Sequence, residues 1–275
     1  MAKRVIMAVG AHADDIELNI GGTVLKYLER GYELVYVMST NNMSGRWNHI
    51  RPDGVRDGRL PPYFEIQPQR KKEAAAAAAF FGTTAIHLDH PQRHYTRADG
   101  SRAEVCYGGD RPDCVKENEP TILTAHEHPA LVKRLADLIL EKDPEIVLTH
   151  SPVMVDMEHT TTCLLVAKAY TMAVESGYTG MMANWLDIAC GTPILYYGRT
   201  FSRWDSFVDV TKYWARKLDT VKFHACQIPD PSRMEFPDWG PACGCGYAEC
   251  FTVAHWGKQP HYTAGLAAEL AANQR

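Results

Sequence analysis

Near its N-terminus the chain reads Arg4-Val5-Ile6-Met7-Ala8-Val9-Gly10, an apolar run that leads directly into Ala11-His12-Ala13-Asp14-Asp15-Ile16-Glu17. The first run has the length and composition of a buried β-strand. The second places an imidazole and two carboxylates at the carboxyl end of that strand. In a doubly wound α/β sheet, the carboxyl ends of the strands open onto a crevice where ligands bind. The stretch therefore predicts a parallel sheet with a functional site directly after its first strand.

The residue types that follow this strand are those of a hydrolytic metal site. Zn²⁺ accepts imidazole nitrogen and carboxylate oxygen, and a catalytic zinc keeps three protein ligands and one open position for water. His12 and Asp15 would supply two of the three ligands. Asp14 would then be free to act as a base toward the bound water. The sequence therefore predicts a bound divalent ion, with Zn²⁺ as the first choice.

Strand-like and helical runs alternate along the chain, which is typical of βαβ units. The patterns predict strands at 4–10, 33–39, 85–88 and 145–148, and helices at 20–30, 69–81, 129–142 and from 159 to about 174. Gly31 is well placed to end the first helix. We therefore expect one Rossmann-like α/β domain over residues 1–275, with a mainly parallel sheet and helices on both faces.

Two long polar connections interrupt this alternation, at 41–68 and 90–125. Connections of this length are usually functional or disordered. The first carries Arg46, Trp47 and His49, which offer hydrogen-bonding and stacking groups, so we expect both connections to form walls of a substrate site, with Trp47 contacting substrate. The alternative is that they are ordinary surface insertions.

Residues 11–17 resemble the AHPDDxE signature of the PIG-L/LmbE-like deacetylases, zinc-dependent enzymes that remove N-acetyl groups from glucosamine-containing molecules. Other segments resemble further motifs of this family, and they occur in the family's order between about residues 4 and 255. These segments are Arg70-Lys71-Lys72-Glu73 with Phe81-Gly82, Pro144-Glu145-Ile146-Val147-Leu148-Thr149-His150, Asp156-Met157-Glu158-His159, Lys217 with His224-Ala225-Cys226-Gln227, and Ala248-Glu249-Cys250-Phe251.

The resemblance implies a metal-dependent hydrolase with a Rossmann-like fold that acts on a small-molecule N-acetylglucosamine-type sugar or conjugate. It implies that His159 is the third metal ligand and that Glu158 orients a neighbouring imidazole. It also implies that Arg70 and Asp89 contact the substrate. For Glu158 and Arg70 the residues alone allow plainer roles, an acid at a helix N-terminus and an exposed pair with Glu73.

Two positions depart from the family pattern. Ala13 stands in place of the proline, which removes no ligand atom but loosens the backbone between the first two ligands. Asp156 stands where many members carry a histidine that assists the oxyanion or the leaving group, and an ionised carboxylate cannot donate a hydrogen bond. His150 is an alternative donor for the oxyanion.

Composition excludes several other classes of protein. A net charge of −4 over 275 residues provides no basic stripe for nucleic acid. The first apolar run is too short for a signal peptide or a membrane span, so we expect a cytoplasmic protein with reduced thiols. Cys243, Cys245 and Cys250 lack the paired spacing of a zinc ribbon, which favours a tight glycine-rich turn over a structural metal site. The sequence leaves open whether the chain forms a homo-oligomer.

Three other functions stay open at the level of sequence. The same metal site could hydrolyse another small amide, such as a thiol conjugate, or it could belong to a non-catalytic metal-binding descendant in which Asp14 is dispensable. A nucleotide-binding module is the third, because Gly21-Gly22 lie near a helix start. That reading lacks the G-x-G-x-x-G fingerprint after the first strand.

Overall fold

The computed structural model describes residues 4–45, 47, 60–106, 110–152, 156–187, 195–196, 199–200, 204–234, 236, 239–254 and 265–273. The helices and strands in these ranges are β1 (Arg4–Gly10), α1 (Asp15–Glu29), β2 (Tyr32–Thr40), α2 (Tyr63–Phe80), β3 (Ala85–His90), β4 (His94–Thr96), β5 (Arg102–Glu104), α3 (Ile122–Ala125), α4 (Pro129–Lys142), β6 (Ile146–Thr149), α5 (Met157–Glu175), β7 (Met181–Trp185), β8 (Leu195–Tyr196), β9 (Arg199–Thr200), β10 (Ser206–Asp209), α6 (Trp214–Val221), α7 (Gly240–Cys243), β11 (Ala248–Ala254) and α8 (Gly265–Ala272).

The central sheet has the strand order β10-β11-β7-β6-β1-β2-β3. Strands β7, β6, β1, β2 and β3 pair in parallel, and β11 runs antiparallel to both β7 and β10. Alternate residues of β1 serve the two faces of the sheet, as the two-residue period of a strand requires. Ile6 and Ala8 pack in one hydrophobic cluster, and Met7 and Val9 pack in the other. The prediction of a mainly parallel sheet with helices on both faces is confirmed.

Helix α1 begins at Asp15, directly after the polar motif, and not near residue 20 as the sequence pattern predicted. The motif itself therefore supplies the first turn, and Asp15 and Glu17 place negative charge at the favourable end of the helix dipole. The predicted end is confirmed, since Gly31 follows the helix with a left-handed φ of 82°.

Gly21 and Gly22 lie inside α1, where they allow close packing. A Cβ on Gly22 would come within 2.8 Å of the Val210 Cβ atom and 3.1 Å of a Glu249 carboxylate oxygen. These glycines therefore serve helix packing, which removes the feature that suggested a nucleotide-binding turn.

Helix α2 begins at Tyr63, six residues before the predicted start at Gln69. The predicted helix was the alanine-rich part alone, and it excluded Pro68, which lacks the N–H that an interior helix position donates. The helix accommodates Pro68 in its second turn and continues through the alanine-rich stretch to Phe80.

The 90–125 connection has more regular structure than the sequence indicated. It contains the antiparallel hairpin β4–β5 and the short helix α3. Its apolar side chains form a small cluster with one residue of the 41–68 connection; the members are Met43, Tyr95, Ala103, Val105 and Val115. The sequence analysis assigned no strand or helix to this connection, because its polar composition concealed the apolar side that Tyr95 and Ala103 bury.

Two smaller predictions concern cysteines and membranes. Gly244, between Cys243 and Cys245, adopts a left-handed φ of 76°, which confirms a glycine turn, and the described cysteines are free thiols. Across the described ranges, no helix combines the length and hydropathy needed to cross a bilayer. The cytoplasmic location stays a prediction.

Candidate metal centre

The residues of the site, three of them predicted ligands, come mainly from the carboxyl ends of three neighbouring strands. Strand β1 leads into His12 and Asp15, the adjacent β6 leads into His150, and the next strand, β7, leads into Asp187. His159 comes from the first turn of α5. Because parallel strands end at the same edge of a sheet, these side chains converge even though they lie up to 175 residues apart, from 12 to 187.

His12, Asp15 and His159 form a group that could hold a metal ion. The His12 Nδ1 atom lies 3.1 Å from His159 Nε2. The Asp15 carboxylate oxygens lie 3.4 Å from His159 Nε2 and 3.7 Å from His12 Nδ1. Two ligands about 2.0–2.1 Å from one tetrahedral zinc are themselves separated by about 3.3 Å. The three donors therefore fit a divalent ion such as Zn²⁺, with two nitrogens and one carboxylate as ligands.

A buried carboxylate lies behind each of the two histidines. The His12 Nε2 atom is 2.6 Å from Glu158 Oε2, and His159 Nδ1 is 2.7 Å from Asp187 Oδ2. Such carboxylate contacts fix the orientation of a ligating imidazole and leave its other nitrogen for the metal. Burial alone would raise the pKa of Glu158, but its hydrogen bond with His12 and that ring's positive charge lower it to about 2. Glu158 is thus an ionised partner of His12.

Segment 90–125 holds Glu158 in place. Gln92 Nε2 donates to Glu158 Oε2 at 2.8 Å, and the Arg93 backbone N–H donates to Oε1 at 2.7 Å. The connection that the sequence assigned to a substrate wall therefore also supports the metal centre. Its role in substrate contact stays a prediction.

Asp14 lies between the two ligands of the first motif in a strained conformation. Its φ of 121° is outside the regions that residues with a side chain normally adopt. It is the residue before α1, yet its side chain makes no capping hydrogen bond. Burial and the adjacent Asp15 carboxylate raise the pKa of Asp14 to about 6, while the charge of Arg70 opposes the shift. Strain of this kind is concentrated at functional sites, and a carboxyl with this pKa is suited to accept and return a proton.

The backbone around His12 is held on both sides. Ala11 O accepts from Thr40 N and Oγ1 at 3.1 and 2.7 Å. Ala13 N donates to Asn42 Oδ1 at 2.8 Å, and Ala13 O accepts from Gln227 Nε2 at 2.6 Å. The expected loosening at Ala13 is therefore offset, because the N–H that proline would lack is used in a buried hydrogen bond.

Arg70 and Glu73 are both buried, which excludes an exposed surface pair. Arg70 is 3% exposed, and its guanidinium donates to the Ser44 carbonyl oxygen. Glu73 accepts from Cys226 N at 3.0 Å. The charge of Arg70 also acts to lower the pKa of Asp14. Contact with a substrate stays a prediction for Arg70.

The remaining predicted residues differ in position. Asp89, with a left-handed φ of 60°, is exposed and pairs with Lys71 Nζ at 2.5 Å. Trp47 is half-buried, whereas Arg46 and His49 lie outside the described residues. Asp156 caps α5, since its Oδ1 accepts from the Glu158 N–H at 2.9 Å.

His150 lies deeper than an oxyanion donor would. Its side chain is fully buried, with Nδ1 2.8 Å from Asp187 Oδ2 and Nε2 3.1 Å from Asp15 Oδ2. Nε2 also lies 2.9 Å from the Ala11 N–H that donates to it. These contacts occupy both ring nitrogens within the protein and associate His150 with the ligand Asp15 and not with an oxyanion.

Sequence reasoning missed Asp187, Gln92 and Asn42. Asp187 carried a weak signal, because it is an acid that follows the apolar run Met181–Trp185 by two residues. The sequence did not predict the strand Met181–Trp185, so nothing placed Asp187 at the carboxyl end of a strand. Gln92 and Asn42 stand in polar segments and carry no comparable signal.

Histidines and carboxylates that converge at the strand ends of a Rossmann-like sheet are typical of a metal-dependent enzyme. The model of the GlcNAc-PI de-N-acetylase (PIG-L) family matches residues 7–170, which include all three proposed ligands. The chain belongs to this family.

One relative is a 1D-myo-inositol 2-acetamido-2-deoxy-alpha-D-glucopyranoside deacetylase from Kineococcus radiotolerans. It is 27% identical over 158 residues, which cover 54% of this chain and 39% of the relative. The chain thus matches about two-fifths of the length of that protein.

Two solved structures share the fold over nearly the whole chain. The 4-carboxy-2-hydroxymuconate hydratase GalB from Pseudomonas putida superposes with a TM-score of 0.62 and 19% identity, covering 96% of this chain and 99% of that one. The N,N'-diacetylchitobiose deacetylase from Pyrococcus horikoshii gives a TM-score of 0.60 and 17% identity, covering 92% and 84%. At these identities the similarity concerns the fold.

Proposed function

We propose that the chain is a metal-dependent deacetylase that hydrolyses the N-acetyl amide of an N-acetylglucosamine-type sugar or conjugate. The observation that carries the proposal is the juxtaposition of three converging ligand atoms with Asp14, an acid of elevated pKa that the ligand set leaves spare. Family membership and the sugar deacetylases among the similar proteins support the same reaction.

His12, Asp15 and His159 would hold the ion. A bound divalent ion supplies a Lewis acid for the acetamide carbonyl and lowers the pKa of water, to about 7 in zinc enzymes. Asp14 accepts the proton of the attacking water on its carboxylate and later delivers it to the departing amine nitrogen. Glu158 keeps the His12 imidazole oriented through both steps.

The substrate walls would come from the segments flanking this edge of the sheet. Arg70, whose charge acts on Asp14, would donate to substrate oxygens, and Trp47 would offer a ring for stacking. A substrate that binds Asp89 would have to displace Lys71, because the exposed Asp89 carboxylate is already paired with it. His150 is proposed to support Asp15, which leaves the oxyanion donor to a group other than His150.

A hydratase is the second candidate, and Asp156 favours it. Amide hydrolysis gains from a donor at the developing oxyanion, whereas Asp156 is an acceptor that caps α5. Addition of water to a carbon–carbon double bond requires a base for the water and protonation of the neighbouring carbon, with no amine to expel. The presence of a hydratase among the proteins of similar fold supports this second candidate.

One experiment separates the two reactions. Purified protein loaded with Zn²⁺ is incubated with a panel of N-acetylated sugars and conjugates, with other small amides including a thiol conjugate, and with unsaturated carboxylic acids. Free amine release is measured for the first two groups and loss of ultraviolet absorbance for the third. The deacetylase proposal expects amine release from acetylated sugars that disappears with chelator and returns with Zn²⁺. Absorbance loss without amine release would overturn it in favour of the hydratase.

Elemental analysis of the wild type and His159→Ala tests the ligand set in parallel. We expect about one zinc per wild-type chain and a large loss in the variant. Equal, near-stoichiometric zinc in both proteins would remove His159 from the site.

A further inference from the structure

Asp187 contacts two histidines with one oxygen atom. It follows β7 by two residues, and its carboxylate is fully buried. Its Oδ2 atom lies 2.8 Å from His150 Nδ1 and 2.7 Å from His159 Nδ1. The two imidazole rings stack with centroids 4.0 Å apart and planes inclined by 24°. A single carboxylate therefore holds the same edge of both rings.

The opposite nitrogens of these rings both point toward the metal centre. His159 Nε2 lies among the proposed ligand atoms, 3.1 Å from His12 Nδ1. His150 Nε2 lies 3.1 Å from Oδ2 of the ligand Asp15. Asp187 thus reaches the metal position by two routes. One passes through the ligand His159, and the other passes through His150 to the ligand Asp15.

Proton positions agree with this arrangement. A His159 that offers Nε2 to a metal carries its proton on Nδ1, the atom that lies 2.7 Å from the Asp187 carboxylate. His150 Nε2 either accepts from the Ala11 N–H or, in a protonated ring, donates to Asp15. In both states Nδ1 carries a proton, so a carboxylate at Asp187 is the matching acceptor for both rings.

A second metal ion at Asp187 is the competing interpretation, because His150, His159 and Asp187 also form a compact group. The distances argue against it. Two ligands of one zinc ion are about 3.3 Å apart, whereas Oδ2 of Asp187 lies only 2.7 and 2.8 Å from the two ring nitrogens, the distance of a direct contact between a carboxylate and an imidazole.

We propose that Asp187 is the positioning residue of the metal centre, orienting the ligand His159 directly and the ligand Asp15 through His150. This inference rests on the proposed function, since it presupposes the ion held by His12, Asp15 and His159. It adds a residue outside every motif of the sequence, from a part of the chain beyond the segment that the family model matches.

The test compares Asp187→Asn and Asp187→Ala with the wild type and with Asp137→Asn, a control at an exposed acid that pairs with Lys133. Asparagine can place its one carbonyl oxygen where Oδ2 lies, but it removes the negative charge that both ring nitrogens face. Zinc affinity is measured by competition with a chromophoric chelator. The visible spectrum of the Co²⁺-loaded protein reports ligand geometry. Circular dichroism of the metal-free proteins shows that each variant folds.

We expect zinc binding to weaken about 10- to 100-fold in Asp187→Asn, more in Asp187→Ala, and not in Asp137→Asn, with an altered Co²⁺ spectrum and one ion per chain throughout. The His150→Gln variant keeps the inference testable if Asp187→Ala does not fold. We expect His150→Gln to weaken zinc binding less than Asp187→Asn, and the effect of Asp187→Asn to be smaller when His150 is already replaced.

Zinc affinity within twofold of the wild type in Asp187→Asn would overturn this inference and leave the proposed function intact. Two ions in the wild type and one in Asp187→Asn would also overturn it, by making Asp187 a ligand. A wild-type chain that binds no divalent ion would contradict the proposed function itself, and this inference with it.

Discussion

The backbone N–H of Ala13 donates to Asn42 Oδ1 at 2.8 Å, inside the loop that carries two of the three proposed metal ligands. Asn42 is fully buried, and its φ of 57° is left-handed, a conformation that asparagine tolerates better than most residues. Thr40 O accepts from its Nδ2 at 3.3 Å, so both ends of the amide are engaged. The family signature has proline at position 13, and this chain replaces the rigidity of that ring with a hydrogen bond.

We therefore predict that Ala13→Pro destabilises this protein even though proline is the usual residue. The change leaves Asn42 Oδ1 buried without its donor, which costs about 1–3 kcal/mol, against a gain of about 0.4–1 kcal/mol from the stiffer unfolded chain. Urea unfolding measures the difference. In an Asn42→Ala background the same change should cost less; equal costs in both backgrounds would show that the hydrogen bond is unimportant.

Asp14→Asn should abolish turnover without releasing the metal. Asparagine keeps the shape of the side chain and tolerates positive φ, but it cannot accept the proton of the attacking water, so the rate should fall by at least ~10²-fold. Steady-state kinetics and elemental analysis of the same preparation check both halves. Near-normal turnover with zinc bound would require a different base or a non-catalytic role.

Asp156→Asn should leave turnover within a few-fold of the wild type. The Asp156 carboxylate accepts from the Glu158 N–H at the start of α5, and asparagine caps a helix about as well as aspartate. Asp156→Ala should lower the free energy of unfolding by about 1 kcal/mol. Thermal unfolding and kinetics of both variants check this. A large rate loss in Asp156→Asn with unchanged stability would instead identify Asp156 as a proton carrier.

The low pKa of His90 predicts that the free energy of unfolding decreases in acid. Burial, and then the charge of Arg134, lower its pKa to about 4, although Asp89 opposes the shift. Between pH 6.5 and 4 the unfolded chain therefore binds a proton at His90 that the folded chain does not, so stability falls as pH falls through this window, by up to about 3 kcal/mol at pH 4.

Urea unfolding of wild type and His90→Gln between pH 7.5 and 4 measures this component. The variant should lose less stability than the wild type across the window, whatever its stability at pH 7.5. Parallel pH profiles for the two proteins would exclude His90 as the source.

The parts of the site that sequence could predict are local. His12, Asp14 and Asp15 follow a recognisable strand, and His159 stands in a second short motif. Asp187 could not be assigned, because its role depends on β7 lying next to β6 in the sheet, and strand order is a property of the whole fold. For the same reason the antiparallel direction of β11, whose first residues resemble a family strand, could not be predicted.

Helix ends were harder than helix positions. The pattern for α4 gave both ends, 129 and 142, because its apolar face and Pro129 are plain in the sequence. The start of α1 was missed because its first turn consists of the polar motif residues, whose composition favours a loop. In this chain the same polar residues form the metal motif and the first turn of α1.

Glu249, in β11, accepts hydrogen bonds from the backbone N–H groups of Gly22 and Thr23 at 2.9 and 2.7 Å and pairs with Lys217 Nζ at 2.6 Å. Glu249 thus stabilises the position of α1, the helix that begins with the ligand Asp15. The family match ends at residue 170, about 80 residues before Glu249. A fragment cut at residue 170 would carry all three metal ligands and yet lack the anchor of the helix that presents one of them. The residues that the family model matches therefore do not include all of those that make the site rigid. Transplanting the ligands alone into another scaffold would therefore transfer the chemistry without the stiffness.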